Sequence, residues 1–333
     1  MAKKTKSVKG SLVEAEKLIK KKYGKLSIMR LGDKESIDID TLPTGILSLD
    51  KALGVGGLPR GRAVEIFGDE ASGKTTLSLC FLAKVQELGG KGAFIDVEHA
   101  IDVKYAERIG VNLNELLFAQ PNSAEEALDI CEKLVESDSF DAIVLDSVAA
   151  LSPQVELDAT MGDKQIALQA RLMAQAMRKL TSKCNKARTS VIFLNQTKTK
   201  IGVRFGNPVT TAGGRALKFH ASIRISVNRS QSEKVKDKIV ASRFRFKVVK
   251  NKVAAPFEEG HFFIQVGKNS IGPDKIRDII DTGVETKLIK KATKGYVFKK
   301  QNFKLADLKD FLSSKPKTRE KLIERIRERF NNE

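Results

Sequence analysis

Cysteine is scarce: the 333 residues hold only Cys80, Cys131 and Cys184, none at metal-binding or redox spacing from another. That excludes a disulfide-stapled fold, and the three read as reduced core thiols of a cytoplasmic protein. Long apolar runs are missing too. No stretch approaches the roughly 18 residues of a membrane span, so no membrane partner is expected. The opening "MAKKTKSVKG" has no apolar centre and is not read as a secretory signal. Aromatic rings are nearly absent from "NQTKTKIGVRFGNPVTTAGGRALKF", where Phe205 is the only ring before Phe219. Some twenty residues of Gly, Thr and cation directly after the buried run "SVIFLN" are either a mistaken assignment or a working part of the molecule.

What is present points to a packed core with basic ends. A hydrophobic share of 41% and this length allow one large core with one or two small attachments. The net charge is +19. It is uneven: residues 1–33 carry 10 Lys/Arg against 3 acids, and residues 271–333 carry 17 against 10. Such ends favour an acidic polymer as partner, although surplus lysine also serves solubility.

Residues 1–33 read as a separate arm. In "SLVEAEKLIKKKYG", Ser11 and Glu14 stand at capping-box spacing, and Leu12, Ala15, Ile19 and Tyr23 share a helical face. One amphipathic helix cannot bury that face on itself. Over residues 34–270, the apolar runs "AVEIF", "GAFID", "AIVLD" and "SVIFLN" alternate with helical stretches. This is the pattern of a mainly parallel sheet covered on both faces, hence an α/β fold. "SIRISVNRS", "RFRFKVVKN" and "HFFIQVG" follow without helices and suggest partly antiparallel additions. Residues 271–333 read as a small basic C-terminal α/β domain.

"GDEASGKT" fits the phosphate-binding pattern G-x-x-x-x-G-K-[ST] between a strand and a helix. Gly68, Asp69, Glu70, Ala71, Ser72, Gly73, Lys74, Thr75 and the following Thr76 therefore form a candidate nucleotide loop. Its glycines let backbone N–H groups and a helix N-terminus surround phosphate. Lys74 reaches the β/γ oxygens, and the Thr75 hydroxyl can ligate Mg²⁺. Asp146, ending the strand "AIVLD", is an acid whose burial a Mg²⁺ reached through water would compensate. "GAFIDVEHA" places Glu98 at another strand end, where it can orient and deprotonate a water aimed at a γ-phosphate.

With these motifs together, the chain resembles the bacterial RecA recombinases. The carrying stretches are "SIMRLGD", "LPRGRAVEIFGDEASGKTTL", "FIDVEHAID", "IVLDSVAALSP", "QARLMAQAMRKL", "FLNQ", "KIGVRFGNPVTTAGGRALKF" and "VVKNKVAAPF", in the family's order from residue 28 to about 257. The resemblance implies a P-loop NTPase with a RecA-type core. It implies an ATP-dependent helical filament of the protein on single-stranded DNA that pairs it with homologous duplex DNA, with ATP and Mg²⁺ as cofactors. Carried over by position, Glu98 is the catalytic base, Gln196 the γ-phosphate sensor, and Asp102 and Tyr105 touch the adenine. Lys250 and Lys252 reach the ATP of the adjacent subunit, and the N-terminal helix packs on a neighbour. A LexA-type repressor is a further partner of the family.

The opening segment then acquires a purpose. Lys198, Lys200 and Arg204 supply charge; Thr210, Thr211, Gly213 and Gly214 supply hydroxyls and backbone N–H groups for phosphate; Ile201 can wedge between bases. Few rings means backbone recognition without sequence preference. Arg171 and Arg178 lie seven residues apart on one helical face and match DNA-contacting positions. The sequence departs from the family at Gln165 and Ile166, at Arg215, at Val266 where an adenine-side aromatic is expected, and in ending "RERFNNE" without an acidic tail. Two rival readings stay open: an ATP-locked DNA-binding adaptor, and a hexameric helicase on the same core. Glu98 and Asp146 favour hydrolysis; the arm and paired DNA segments favour a filament over a ring.

Overall fold

The computed structural model describes residues 12–24, 27–28, 39–160, 167–199, 208–235, 237–267 and 270–330. Ser11, Gln165, Ile166, Lys200, Ile201, Arg204 and Phe205 lie outside them. Two compact units, Met1–Ile39 and Asp40–Glu333, are described separately. In the first, helix α1 (Leu12–Tyr23) has no buried residue, and its Leu12, Leu18 and Tyr23 are exposed.

In the second unit, β1 (Thr41–Leu42) pairs with β2 (Leu58–Pro59) around α2 (Leu47–Ala52). Then come β3 (Ala63–Gly68), α3 (Lys74–Glu87), β4 (Gly92–Asp96), α4 (Val103–Ile109), β5 (Leu117–Ala119), α5 (Ala124–Glu136) and β6 (Ala142–Asp146). Beyond a short 3-10 turn lie α6 (Gln154–Asp158), α7 (Leu168–Ala187), β7 (Ser190–Thr199), β8 (Val209–Thr211) and α8 (Ala216–His220). The long strands β9 (Ile223–Val235), β10 (Lys238–Asn251), β11 (Glu259–Gly267) and β12 (Ser270–Pro273) follow.

The sheet runs β12-β11-β10-β9-β3-β7-β6-β4-β5, with β8 paired to β7. From β9 to β5 neighbours are parallel; from β9 to β12, and at β8, they are antiparallel. This is the mixed sheet expected from the presence and then absence of intervening helices. Residues of β3, β4 and β6 are buried throughout, because helices cover both faces. Val64, Ile66, Ile192 and Leu194 pack toward α3 with Leu77 and Phe81; Ile143, Leu145, Val191 and Phe193 pack toward α5 and α7 with Cys131, Met173 and Met177. Alternate residues thus feed the two layers.

A third cluster belongs to α9 (Lys275–Glu285), the three-stranded sheet of β13 (Lys290–Ala292), β14 (Gly295–Phe298) and β15 (Gln301–Phe303), α10 (Leu305–Ser314) and α11 (Pro316–Phe330). Leu47 of α2 joins it. The Asp278 carboxylate of α9 accepts hydrogen bonds from Leu47 N (2.5 Å) and Ser48 N (3.3 Å). The preceding residue, Ile46, offers α2 no side-chain cap, so a carboxylate 231 residues away satisfies these end donors. No helix among the described residues is long and apolar enough to cross a membrane.

Candidate active site at the carboxyl ends of the parallel strands

The phosphate loop bridges β3 and α3 with its own hydrogen bonds closed. Lys74 is buried, and its Nζ donates to Asp69 O (2.7 Å), Gly68 O (3.2 Å) and Ser72 Oγ (3.4 Å). Gly73 caps α3 with φ +85°, and a Cβ there would lie 3.2 Å from Ile264 Cδ1 and Phe244 Cδ1. Only glycine suits both the angle and the space. Ala71 also has positive φ, while Asp69 and Glu70 are exposed. Thr76 Oγ1 and Tyr105 Oη share a hydrogen bond of 2.7 Å. A cavity of about 300 Å³ runs along this loop, walled by Tyr105, Arg229, Phe244, Ile264 and Val266.

The other acids converge from neighbouring strands. Asp96 and Asp146 are partners across β4 and β6, and Asp146 Oδ2 accepts the Thr75 hydroxyl at 2.7 Å. Glu98 Oε1 accepts both the Ser147 hydroxyl and, at 3.3 Å, Gln196 Nε2. Gly68 and Gln196 are register partners in β3 and β7, which fixes the sensor candidate beside the phosphate loop. Asp102 is spent locally: it caps α4 by accepting Tyr105 N at 3.0 Å, and so presents the Tyr105 ring to the cavity.

Electrostatics follow from that crowding. Burial pushes Asp146 up to about 6 against the Thr75 hydrogen bond, and Glu98 and Asp96 push the same way. Burial pulls Lys74 down, while the Asp146 and Glu98 carboxylates oppose the fall. A divalent cation would relieve this buried acid. A hydroxyl and a carboxylate oxygen already 2.7 Å apart are the hard donors that Mg²⁺ takes alongside water and phosphate. Among the described residues no group of three His, Cys, Asp or Glu could hold a metal. A larger cleft of about 1010 Å³ lies between α2, α9 and α11, lined by equal numbers of acids and cations. It contains none of these residues.

The segment after Gln196 is held at both ends. Lys198 is exposed at the end of β7, and Thr197, Lys198 and Thr199 pair with Thr211, Thr210 and Val209. Thr210 Oγ1 accepts Lys218 Nζ at 2.5 Å; the Thr211 hydroxyl is buried without a partner among the described residues. Gly213 and Gly214 have φ of +75° and +78°, and Cβ atoms there would meet Val148 and Ala170. The Gly213 N–H donates to Gln169 Oε1 at 3.2 Å, so within this chain it is engaged rather than open. Arg171 and Arg178 are exposed on α7. Lys250 and Lys252 stand apart from the phosphate-loop hydrogen bonds, with Lys250 Nζ donating to Lys218 O (2.7 Å) and Phe219 O (2.9 Å).

Residues 10–270 match the family model of the RecA N-terminal domain. The chain belongs to the RecA family. It is 49% identical over 317 residues to "Protein RecA" of Caldanaerobacter subterraneus subsp. tengcongensis, covering 94% of this chain and 91% of that protein. With "Protein RecA" of Azoarcus sp. it shares 52% over 289 residues, 86% of this chain and 83% of that one. The family resemblance and the α/β fold expected from sequence both hold.

Three positions escape motif reading in this RecA-family chain. Glu65 is fully buried in β3, and its two oxygens accept Asn195 Nδ2 (2.9 Å) and Arg224 Nε (2.5 Å). Asn195 Nδ2 also donates to Ala212 O (3.1 Å), while its Oδ1 accepts Gln196 N (2.9 Å). One amide thus staples both ends of the segment. The only sequence signal was a charged Glu inside the apolar run "AVEIF", which requires a buried partner.

Proposed function

We propose that the chain is a DNA-dependent, Mg²⁺-requiring ATPase that converts ATP to ADP and phosphate within a protein filament on single-stranded DNA. As a RecA-family member it is an ATP-dependent recombinase of DNA repair, and we place its work in the cytoplasm. On this reading residues 1–33 are a polymerisation arm, 34–270 the ATPase core, and 271–333 a basic domain.

The observation that carries the reading is the shared oxygen of Glu98. The carboxylate that would orient the attacking water is hydrogen-bonded to Gln196, the residue from which the DNA segment departs. Lys74 exchanges its loop carbonyls for β- and γ-phosphate oxygens. Thr75 and Asp146 would hold Mg²⁺, which neutralises phosphate charge when bound. Tyr105 covers one side of the base. Glu98 accepts a proton from the water, and Gln196 responds to the terminal phosphate by moving the strand end it sits on. Lys250 and Lys252, supplied by the adjacent subunit, would stabilise the charge spreading over the γ-phosphoryl oxygens and make turnover depend on assembly. Lys198, Lys200, Ile201, Arg204, Thr210, Thr211, Gly213 and Gly214, with Arg171 and Arg178, form the proposed DNA surface. Promotion of cleavage of a LexA-type repressor belongs to the same filament.

The test is ATP hydrolysis with and without single-stranded DNA, beside exchange between a circular single strand and a homologous linear duplex. DNA should stimulate hydrolysis strongly, and Lys74→Ala should abolish turnover and exchange. Glu98→Gln should bind both ligands yet hydrolyse poorly. A DNA-independent rate refutes the coupling; strand exchange undiminished in Lys74→Ala refutes the ATP-driven reading.

A further inference from the structure

The register that sets Gly68 beside Gln196 brings the next residues of the two strands together as well. Asp69 belongs to the phosphate loop, and Thr197 is the first residue after the sensor candidate. Thr197 Oγ1 donates a hydrogen bond to Asp69 Oδ1. The two are 128 residues apart in sequence and share no motif. A hydroxyl donating to a charged acceptor is among the stronger hydrogen bonds, although an exposed carboxylate such as this one also has water as a competitor.

Asp69 is held from a second side. Its carbonyl accepts Lys74 Nζ at 2.7 Å, so one bond to the loop's own lysine and another to β7 hold this residue. Phosphate disturbs both. Phosphate oxygens are better acceptors for an ammonium than a peptide carbonyl, so Lys74 is drawn away. They also bring negative charge next to the Asp69 carboxylate, which like-charge repulsion drives outward. The Thr197 hydroxyl then loses its acceptor.

We propose that the Asp69–Thr197 hydrogen bond is a latch that holds the start of the DNA segment against the empty phosphate loop, and that nucleotide phosphates open it. Thr197 is a positioning residue: it acts through Asp69 and touches no reacting atom. Gln196 would engage the bound state, while Thr197 restrains the empty one, and together they sharpen the difference between the two. This inference rests on the ATP-dependent DNA-binding reading above.

The experiment measures the affinity of the full-length chain for a fluorescein-labelled oligothymidylate by anisotropy. It is done without nucleotide and with Mg²⁺ and a non-hydrolysable ATP analogue. Thr197→Val keeps the shape and removes the donor; Thr197→Ser keeps the donor. Thr197→Val should tighten nucleotide-free binding about fivefold, or about 1 kcal/mol, and leave binding with the analogue unchanged. The nucleotide response therefore shrinks about fivefold. Thr197→Ser should behave as wild type. Asp69→Ala should reproduce the nucleotide-free gain, and the double variant should gain no more than either single one. Unchanged nucleotide-free affinity in Thr197→Val overturns the latch. So do equal effects of Val and Ser, additive effects in the double variant, or a loss confined to the analogue-bound state. A wild-type protein with no nucleotide response removes the functional reading and the latch with it, a result separable from wild-type coupling that Thr197→Val fails to alter.

Discussion

Replacing Arg224 by Met should destabilise the second unit more than most single changes in the chain. Glu65 is 0% exposed and relies on the Arg224 guanidinium at 2.5 Å and the Asn195 amide at 2.9 Å. Removing one partner of a buried ion pair costs about 3–5 kcal/mol. The low end applies here, because Asn195 remains and the Arg224 side chain is 16% exposed, so water can reach the gap. Loss of the guanidinium from above the Phe67 ring, 4.6 Å from its centroid, adds about 0.5 kcal/mol. A loss of about 3 kcal/mol in a unit of this size lowers Tm by about 6 °C. Circular-dichroism melts and urea titrations at pH 7, without nucleotide and at one low protein concentration, read both quantities. Glu65→Leu with Arg224→Met should recover most of the loss, since it leaves no stranded charge. A penalty below about 1 kcal/mol, or a double variant as weak as the single, would falsify the view of Glu65 as a carboxylate that needs its cation.

Three further outcomes follow from the same physics. Burial raises Asp50 to about 7 and Asp278 to about 6 from 3.8, so the folded chain takes up protons that the unfolded chain does not. Their contribution is complete below about pH 4 and is gone once pH has risen past the folded values of about 6 to 7, a loss of at most about 3 kcal/mol for Asp278; Asp278→Asn should flatten the fall in urea midpoint between about pH 4 and 6, and an unchanged slope there contradicts this. Burial, then Lys252 and Arg224, hold Lys250 down to about 8, so its charge fades as pH rises through that value. DNA-stimulated hydrolysis should decline over the same range, and Lys250→Arg should flatten the profile; superimposable profiles argue against a role for that charge. Gly73→Ala meets Ile264 and Phe244 at 3.2 Å with φ at +85°, about 1–2 kcal/mol of backbone strain before the clash; fluorescent-nucleotide titration should show binding lost, and wild-type affinity would refute the packing argument.

What was legible in the sequence was local. Gly68 to Thr75 could be read because a phosphate loop is one contiguous strand–turn–helix, and Asp146 and Glu98 because apolar runs show where strands end. The mixed sheet was legible from helices present before residue 190 and absent after 222. The Glu65–Asn195–Arg224 network was not, because it exists only through the order β9-β3-β7, which no single segment encodes. The same holds for Asp278 capping α2, and for Asp69 meeting Thr197. Gly213 shows the converse limit. Its type suggested an open N–H for phosphate, but packing against α7 gives that N–H to Gln169.

The seclusion of all three cysteines has a practical side. Burial drives the Cys80 and Cys184 thiols up to about 12 and raises Cys131 as well, leaving almost no thiolate at neutral pH to attack a maleimide. One cysteine introduced at an exposed place such as Glu115 would then be the sole reactive handle on an otherwise native chain. A dye or spin label could be attached there to follow the molecule in real time without first stripping out its own sulfur.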